Sequence, residues 1–92
     1  MAHTLREKEK LTLRVRRIRV QIDAIERALS EEKDCGDVLQ LITAARGAMN
    51  GLMAELLEDH VRFHVLDATR KPTTAQAVAT DELMEIVRSY LK

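Results

Sequence analysis

The sequence is poor in the residues that build many common binding sites. Its 92 residues include two aromatic side chains, Phe63 and Tyr90, one cysteine, one proline and no tryptophan. Two rings are too few for the base-stacking platforms of single-stranded RNA-binding modules. A single cysteine excludes an intramolecular disulfide. It favours a reducing, cytoplasmic setting in which the Cys35 thiol is free for metal or for chemistry.

Long apolar runs and export signals are also missing from the sequence. No stretch approaches the roughly 20 apolar residues that a membrane-spanning helix needs, and the charged N-terminus is unlike a secretory signal. No nucleophile–base–orienter set and no phosphate-binding glycine loop occurs, so we do not expect an enzyme. The sequence predicts one small domain over residues 1–92. Because so short a chain buries only a modest core, we also expect it to oligomerise.

The formal net charge is zero, but the charges are unevenly distributed. Residues 1–20 contain seven basic and two acidic residues, a balance of +5, and the rest of the chain carries −5. Most charge runs are simply solvated helix faces. Here the acidic residues are too few to pair with the basic ones. The pattern therefore favours an anionic partner, with nucleic acid first and a membrane surface second.

The apolar spacing predicts three helices and no strand. The first helix should run from about Thr4 to Ser30, with Thr4 and Glu7 as a candidate capping box. The second should run from about Gly36 to Leu66 after a short polar loop. In both, apolar residues recur at steps of 3 and 4. The first seam is Leu11, Val15, Ile18, Ile22, Ile25 and Leu29, and the second is Cys35, Val38, Ile42, Ala45, Met49, Leu52, Leu56, Asp59 and Phe63.

Two glycines inside the second helix predict close packing. Gly47 and Gly51 each cost about 1 kcal/mol relative to alanine, so we expect another backbone to approach them. The segment 67–79, which contains Pro72, is predicted to be a linker before a short third helix. The expected fold class is all-α, a long antiparallel helical hairpin plus a short C-terminal helix. Two such hairpins would close their cores as a dimeric four-helix bundle.

The three histidines and the cysteine form a candidate metal site. His60 and His64 are four residues apart and share one helix face, although such pairs also occur by chance at helix ends. Cys35 lies 25 residues before His60, about 37 Å along one helix. They come together only if helix 2 of a partner subunit packs antiparallel to helix 2 of this one. The hairpin also places His3 near the end of helix 2, so the expected ligands are His3, His60 and His64, with Cys35 from the partner subunit.

The donor types restrict the metal without fixing it. Thiolate and imidazole suit late first-row ions such as zinc, nickel, cobalt and copper. An N-terminal amine beside His3 would add a donor, which favours Ni(II) or Co(II). Taken alone, Cys35 is more typical of a small buried apolar residue on the seam. Its alignment with three histidines favours the ligand interpretation.

The stretches "RVRRIRVQIDAIERAL", "C…VLQLITAARGAMNGLM" and "HVRFH" resemble the CsoR/RcnR/FrmR family of bacterial transcriptional repressors. The resemblance covers about residues 3–92, apart from the linker around Pro72. It implies an all-α dimer of hairpins assembled into a homotetramer, a dimer of dimers. It also implies binding to double-stranded operator DNA, G-rich in our expectation, without a helix-turn-helix. The inducer site is implied to lie at the dimer seam.

The inducer residues imply a subtype. Copper sensors of this family have a cysteine at the position of His64. Formaldehyde sensors have a proline after the initiator methionine and usually a glutamate at the position of His64, whereas this chain has Ala2 and His64. Nickel and cobalt sensors share the pattern His3, Cys35, His60 and His64. The resemblance therefore implies a Ni(II)/Co(II)-responsive repressor of an efflux gene, with Zn(II) as a further possible ligand.

Two rival functions and two departures from the family pattern stay open. One rival is a formaldehyde-responsive repressor that uses Cys35 and the N-terminal amine. The other is a zinc-stapled helical module that binds an acidic partner and no DNA. The family usually has glycine at the position of Val20, and some nickel/cobalt sensors have an acidic residue at the position of Phe63. The second departure removes a carboxylate ligand.

The expected DNA contacts are basic residues of helix 1, together with one arginine of helix 2. Lys10, Arg14 and Arg17 share a helix face by their 4, 3 spacing, and Arg16 and Arg19 flank them. Arg46 joins the set because the resemblance covers it, although a structural ion pair on helix 2 is the alternative. The six expected phosphate contacts are Lys10, Arg14, Arg16, Arg17, Arg19 and Arg46.

Overall fold

The computed structural model describes residues 5–66 and 70–92, apart from the side chains of Leu5, Arg6 and His64. His3 and the expected Thr4 cap lie outside the described residues. The elements are α1 (Leu5–Ser30), α2 (Cys35–His60), a π-helical turn (Val61–Val65) and α3 (Thr74–Tyr90). No strand occurs within these residues. The expected all-α class is therefore confirmed. The range of α1 matches the expectation closely, whereas α2 ends at His60, before the expected Leu66.

A tight turn between α1 and α2 makes the two helices antiparallel. Lys33 N–H donates to Ala28 O at 2.9 Å, and Glu32 N–H donates to Leu29 O at 3.2 Å. This bonding is that of a Schellman motif, in which the residue after the helix takes the left-handed conformation. Glu32 occupies that position with φ 55°, although glycine is the usual residue there. Gly36, which we expected at the end of the loop, lies inside α2.

Only half of each expected apolar seam packs inside the chain. The less exposed residues of α1 are Glu7, Leu11, Arg14, Ile18, Gln21, Ala24, Ile25 and Ala28. The other seam residues, Val15, Ile22 and Leu29, are exposed. On α2, Val38, Ala45 and Leu52 face inward, whereas Ile42, Met49 and Leu56 are exposed. The expected spacing of 3 and 4 residues is correct. The residues that it selects form two adjacent stripes on each helix, of which one packs within the chain and the other is exposed.

The three helices form a slab that is one helix thick. The chain measures 55 × 28 × 13 Å, and its radius of gyration is 17.2 Å, against about 12 Å for a compact domain of this length. The buried apolar residues are few and mostly small: Ile18, Ala28, Ala45, Ala54 and Met84. A slab of this thickness leaves the broad faces of its helices to solvent, so one chain cannot enclose a core of large side chains.

The third helix starts earlier than the sequence analysis predicted. We expected a linker as far as Ala79, but α3 begins at Thr74 with Thr73 as its N-cap. Gln76 N–H donates to Thr73 Oγ1 at 3.1 Å, and Thr73 N–H donates to Gln76 Oε1 at 3.0 Å. This is a capping box, which satisfies two backbone N–H groups at once. Its T-x-x-Q signature was readable in the sequence, so the linker prediction was wrong.

Within the chain, the two interior glycines of α2 do not mark a backbone contact. A Cβ on Gly47 would meet no atom of the described residues within 4 Å. A Cβ on Gly51 would lie 3.1 Å from Nη1 of Arg14. The group that approaches Gly51 closely is therefore the guanidinium of Arg14, which extends from α1 to α2. None of the described helices combines the length and apolar character that a bilayer crossing requires.

Candidate metal site and DNA-binding surface

The expected sulfur and nitrogen ligands stand at opposite ends of one helix. Cys35 is the first residue of α2 and His60 is the last, and both are exposed. The helix is continuous, so they are about 37 Å apart at 1.5 Å per residue. Among residues 5–66 and 70–92 no three His, Cys, Asp or Glu side chains are close enough to hold a metal ion. His3 and the side chain of His64 lie outside the described part.

Cys35 and His60 nevertheless share one side of α2. Their separation is close to seven full turns at 3.6 residues per turn. The residues that continue this face between them are exposed and apolar: Ile42, Met49 and Met53. At the His60 end the face forms an apolar groove, lined by Met49, Leu52, Met53, Leu56, Leu57 and His60. One long apolar face therefore has a thiol at one end and an imidazole at the other.

The backbone of His64 lies in a π turn rather than in an α-helix. Leu66 N–H donates to Val61 O at 2.9 Å, which is an i→i+5 bond. The apolar spacing predicted an α-helix to Leu66, so the last turn is wider than expected. Such π turns are rare and occur frequently at functional sites. The wider turn changes the angle around the helix axis between residues 60 and 64. The α-helical period of 3.6 residues predicts a different angle.

An ion-pair network that the sequence analysis missed joins α3 to the end of α2. Glu58 Oε1 accepts from Arg88 Nη2 at 2.9 Å, and its Oε2 accepts from Arg62 Nε at 3.2 Å. Arg62 Nη2 also donates to Asp81 Oδ1 at 2.9 Å. The hydrogen bond from Arg88 lowers the pKa of Glu58; partial burial opposes this, and Arg62 adds to it. The hydrogen bond to Asp81 raises the pKa of Arg62.

Two of the expected DNA contacts are paired with a carboxylate of α2. Lys10 Nζ lies 3.2 Å from Glu55 Oε1, and Arg14 Nε lies 3.1 Å from Glu55 Oε2. The Glu55 side chain is only 19% exposed. An antiparallel hairpin with its turn at residues 31–34 brings these positions together. The pairing was predictable from the sequence only through this hairpin, because the position of its turn fixes which residues of α1 and α2 face each other.

The remaining expected DNA contacts are exposed. Arg16, Arg17 and Arg19 are all exposed on α1, and Arg46 is exposed on α2. Arg16 follows Arg14 by two residues, about 200° around the helix, so it lies on the side of α1 away from α2. The basic residues of α1 therefore divide into a pair against α2 and a set directed to solvent.

The family assignment follows from the sequence itself. The model of a family described as metal-sensitive transcriptional repressor matches residues 7–89. This chain belongs to the metal-sensitive transcriptional repressor family. Members of the family are regulators that bind DNA and not enzymes, so this chain is a DNA-binding repressor in a metal-sensing family. The resemblance inferred from the three sequence stretches is confirmed.

Individual relatives of this repressor extend over its whole length. A protein of Serratia marcescens, described as an uncharacterized protein in the bioA 5′ region, is 49% identical over 92 residues, 100% of both chains. The transcriptional repressor RcnR of Salmonella paratyphi B is 36% identical, again over 100% of both. A solved structure is also similar: a glutamate-to-histidine variant of the formaldehyde-responsive regulator FrmR from Salmonella enterica serovar Typhimurium. It has a TM-score of 0.69 and 41% identity, and the match covers 97% of this chain and 99% of that one.

Proposed function

We propose that this protein is a cytoplasmic, Ni(II)/Co(II)-responsive repressor of an efflux gene. It binds operator DNA, G-rich in our expectation, without metal and releases it when metal is bound. The observation that carries the proposal is the placement of Cys35 and His60 at the two ends of one exposed apolar face of α2. Membership in a metal-sensitive repressor family and the 36% identity to RcnR support it.

The apolar face of α2 favours a symmetric pairing of two chains. Two copies of α2 laid antiparallel along this face would bury Ile42, Met49 and Met53 from each. The same arrangement would set Cys35 of one subunit beside His60 and His64 of the other. A two-fold axis generates two such sites per dimer, because every contact is repeated. Two dimers would then associate into the homotetramer.

The donor set fits a late first-row ion. Cys35 would supply thiolate and His60 and His64 would supply imidazole, a combination that nickel, cobalt and zinc accept. His3 and the N-terminal amine would raise the donor number, which favours Ni(II) or Co(II) over four-coordinate zinc. Bound metal would supply a cationic centre that joins ligands of two subunits. The ligands must lose protons to bind, so the response should weaken at acidic pH.

The link to DNA runs through the N-terminal arm. His3 is followed directly by the basic stretch of α1, so its recruitment to the end of α2 would move Lys10, Arg14 and Arg17 relative to the phosphates. Arg16, Arg19 and Arg46 complete the proposed DNA contacts. By linkage, metal and DNA weaken each other's binding by the same factor.

A DNA-binding titration tests the proposal. Fluorescence anisotropy with a labelled duplex containing a run of guanines is measured with chelator and with Ni(II), Co(II), Zn(II) or formaldehyde. We expect binding with chelator and release by Ni(II) or Co(II). His64→Ala should abolish the metal response but not DNA binding, and Val65→Ala in the same π turn should behave like the unmodified protein. Release by formaldehyde alone would refute the nickel/cobalt proposal.

One observation favours a formaldehyde-responsive repressor as a second candidate. The similar solved structure is a variant of a formaldehyde-responsive regulator, and Cys35 is an exposed thiol. In this chemistry the thiol and the N-terminal amine would both add to one formaldehyde carbon, giving an S–CH₂–N bridge and one water. The His64→Ala variant separates the two candidates, because an aldehyde response should survive it.

A further inference from the structure

A carboxylate of α2 lies between two bases that the proposed function assigns to DNA. Glu55 is 19% exposed and is close to Lys10 on one oxygen and to Arg14 on the other, at 3.2 and 3.1 Å. The three residues line one polar groove between α1, α2 and α3, together with Glu7, Leu11, Glu58, Asp59 and Arg88. Lys10 and Arg14 therefore already share one anion within the same chain.

The ion pair between Glu55 and Arg14 lacks a hydrogen bond. Glu55 Oε2 is buried and accepts no hydrogen bond among the described residues. Arg14 Nε lies 3.1 Å from this oxygen, which is an ion-pairing distance, but the two atoms do not form a hydrogen bond. A buried carboxylate oxygen without a hydrogen bond keeps part of its desolvation cost. The pair is thus less stable than its distance suggests, and Arg14 can exchange Glu55 for another anion at low cost.

The two bases retain access to solvent. The side chains of Lys10 and Arg14 are 68% and 41% exposed. Part-exposed ion pairs of this kind contribute little to folding, because solvent screens them. A DNA phosphate offers the same charge, and its binding also releases counterions. Exchange of the carboxylate for phosphate is therefore feasible without unfolding the hairpin.

We propose that Glu55 is an internal competitor of DNA phosphates for Lys10 and Arg14, and so limits the DNA affinity of the repressor. This inference rests on the proposed function, in which Lys10 and Arg14 contact the operator. Glu55 is a positioning residue here, since it acts through the two bases and touches no DNA. A repressor must release its operator when induced, and a built-in competitor keeps the affinity low enough for release.

The first test replaces Glu55 by Gln and measures DNA binding with chelator present. The probes are a short duplex with a run of guanines and a duplex of equal composition with the guanines dispersed. We expect Glu55→Gln to tighten binding to both about three- to tenfold at low salt. The dependence of log K on log salt should become steeper by about one unit. Unchanged or weaker binding would refute the inference.

The matched control is Glu58→Gln, which removes the same charge from the same groove. Glu58 pairs with Arg62 and Arg88 rather than with the α1 bases. It should change DNA affinity less than twofold. An equal tightening by both variants would mean that net charge, and not competition for Lys10 and Arg14, sets the affinity.

A double-mutant cycle tests whether Glu55 acts through the two bases. In a Lys10→Gln/Arg14→Gln background the Glu55→Gln change should have no effect on affinity, since the competed cations are absent. Persistence of the tightening there would overturn the inference. If the unmodified protein and every variant bind neither duplex, the DNA-binding function itself is wrong, which is a different failure.

A second variant perturbs the pair without changing charge. Gly51→Ala places a methyl group 3.1 Å from Arg14 Nη1, so the guanidinium must shift by a few tenths of an ångström. It should tighten DNA binding, by less than Glu55→Gln does. Gly47→Ala, whose methyl meets no atom of the described residues within 4 Å, is the control and should leave affinity unchanged. Tightening by Gly47→Ala alone would contradict the assignment. These variants keep the test valid even if Glu55→Gln folds poorly, which circular dichroism would show.

Discussion

Glu58 holds the third helix on the second through two guanidinium groups. Arg88 and Arg62 each donate a hydrogen bond to it, and Arg62 extends the network to Asp81 on α3. Its side chain is 30% exposed, so solvent screens these pairs and their contribution to stability is modest. At this scale, single side chains add ionic contacts between α3 and the end of α2, beside the buried Thr80 and Met84 of α3.

The lowered pKa of Glu58 predicts how this contribution varies with pH. A carboxylate with a depressed folded pKa stabilises fully above its unfolded value, here the ordinary 4.5. That stabilisation is lost as pH falls through the lower folded pKa. We expect the unmodified protein to exceed Glu58→Gln in free energy of unfolding by about 1 kcal/mol at neutral pH. The difference should vanish on acidification.

Chemical denaturation of both proteins at a series of pH values measures that difference. Glu82→Gln on the exposed surface of α3 serves as control and should show little difference from the unmodified protein at any pH. A gap between the unmodified protein and Glu58→Gln that persists unchanged well below pH 4.5 would contradict the assigned role of Glu58.

At the scale of elements, the start of α3 depends on its capping box. Thr73 and Gln76 each satisfy the other's backbone N–H. We expect Thr73→Ala to destabilise α3 by about 1 kcal/mol. Hydrogen exchange of the first turn of α3 should accelerate accordingly. Thr74→Ala, one residue later and also exposed, keeps the cap and should exchange at the original rate; equal acceleration by the two variants would argue against the box.

The last turn of α2 shows a limit of periodicity at this scale. The sequence predicted one helix to Leu66, but α2 ends at His60 and a π turn follows. A π turn depends on which carbonyl each N–H finds, and residue types in "VRFHV" do not specify that choice. The capping box is the opposite case, because T-x-x-Q is a local signature. The linker prediction for the residues after Thr73 was wrong because this signature was overlooked, although the sequence contains it.

At the scale of the whole molecule, the thin slab leaves an apolar face of α2 uncovered within the described chain. Large apolar residues are exposed along α2, including Ile42, Met49 and Met53 at 44–49%. Charged substitution in this face should therefore disrupt assembly. We expect Met53→Glu to dissociate the proposed dimer. Each copy loses about 2 kcal/mol of burial, and two copies correspond to roughly a thousandfold in dissociation constant.

Light scattering after size-exclusion chromatography measures this assembly. Gln40→Glu introduces the same charge at an exposed polar position of α2 and should keep the oligomeric mass of the unmodified protein. If Met53→Glu keeps that mass while Gln40→Glu loses it, the apolar face of α2 is not the interface.

Residue types and their spacing were sufficient to predict the all-α class, the 3-and-4 spacing of apolar residues in the helices, the family and the candidate metal ligands. All of these depend on residue types and on spacing along one helix, which are local features of the chain. The packing of the helices determined which half of each seam lies within the chain, because periodicity does not say how a helix is rotated against its neighbour. It likewise decided that Glu55 faces Lys10 and Arg14, since that contact depends on the register of two antiparallel helices joined by the turn at Glu32.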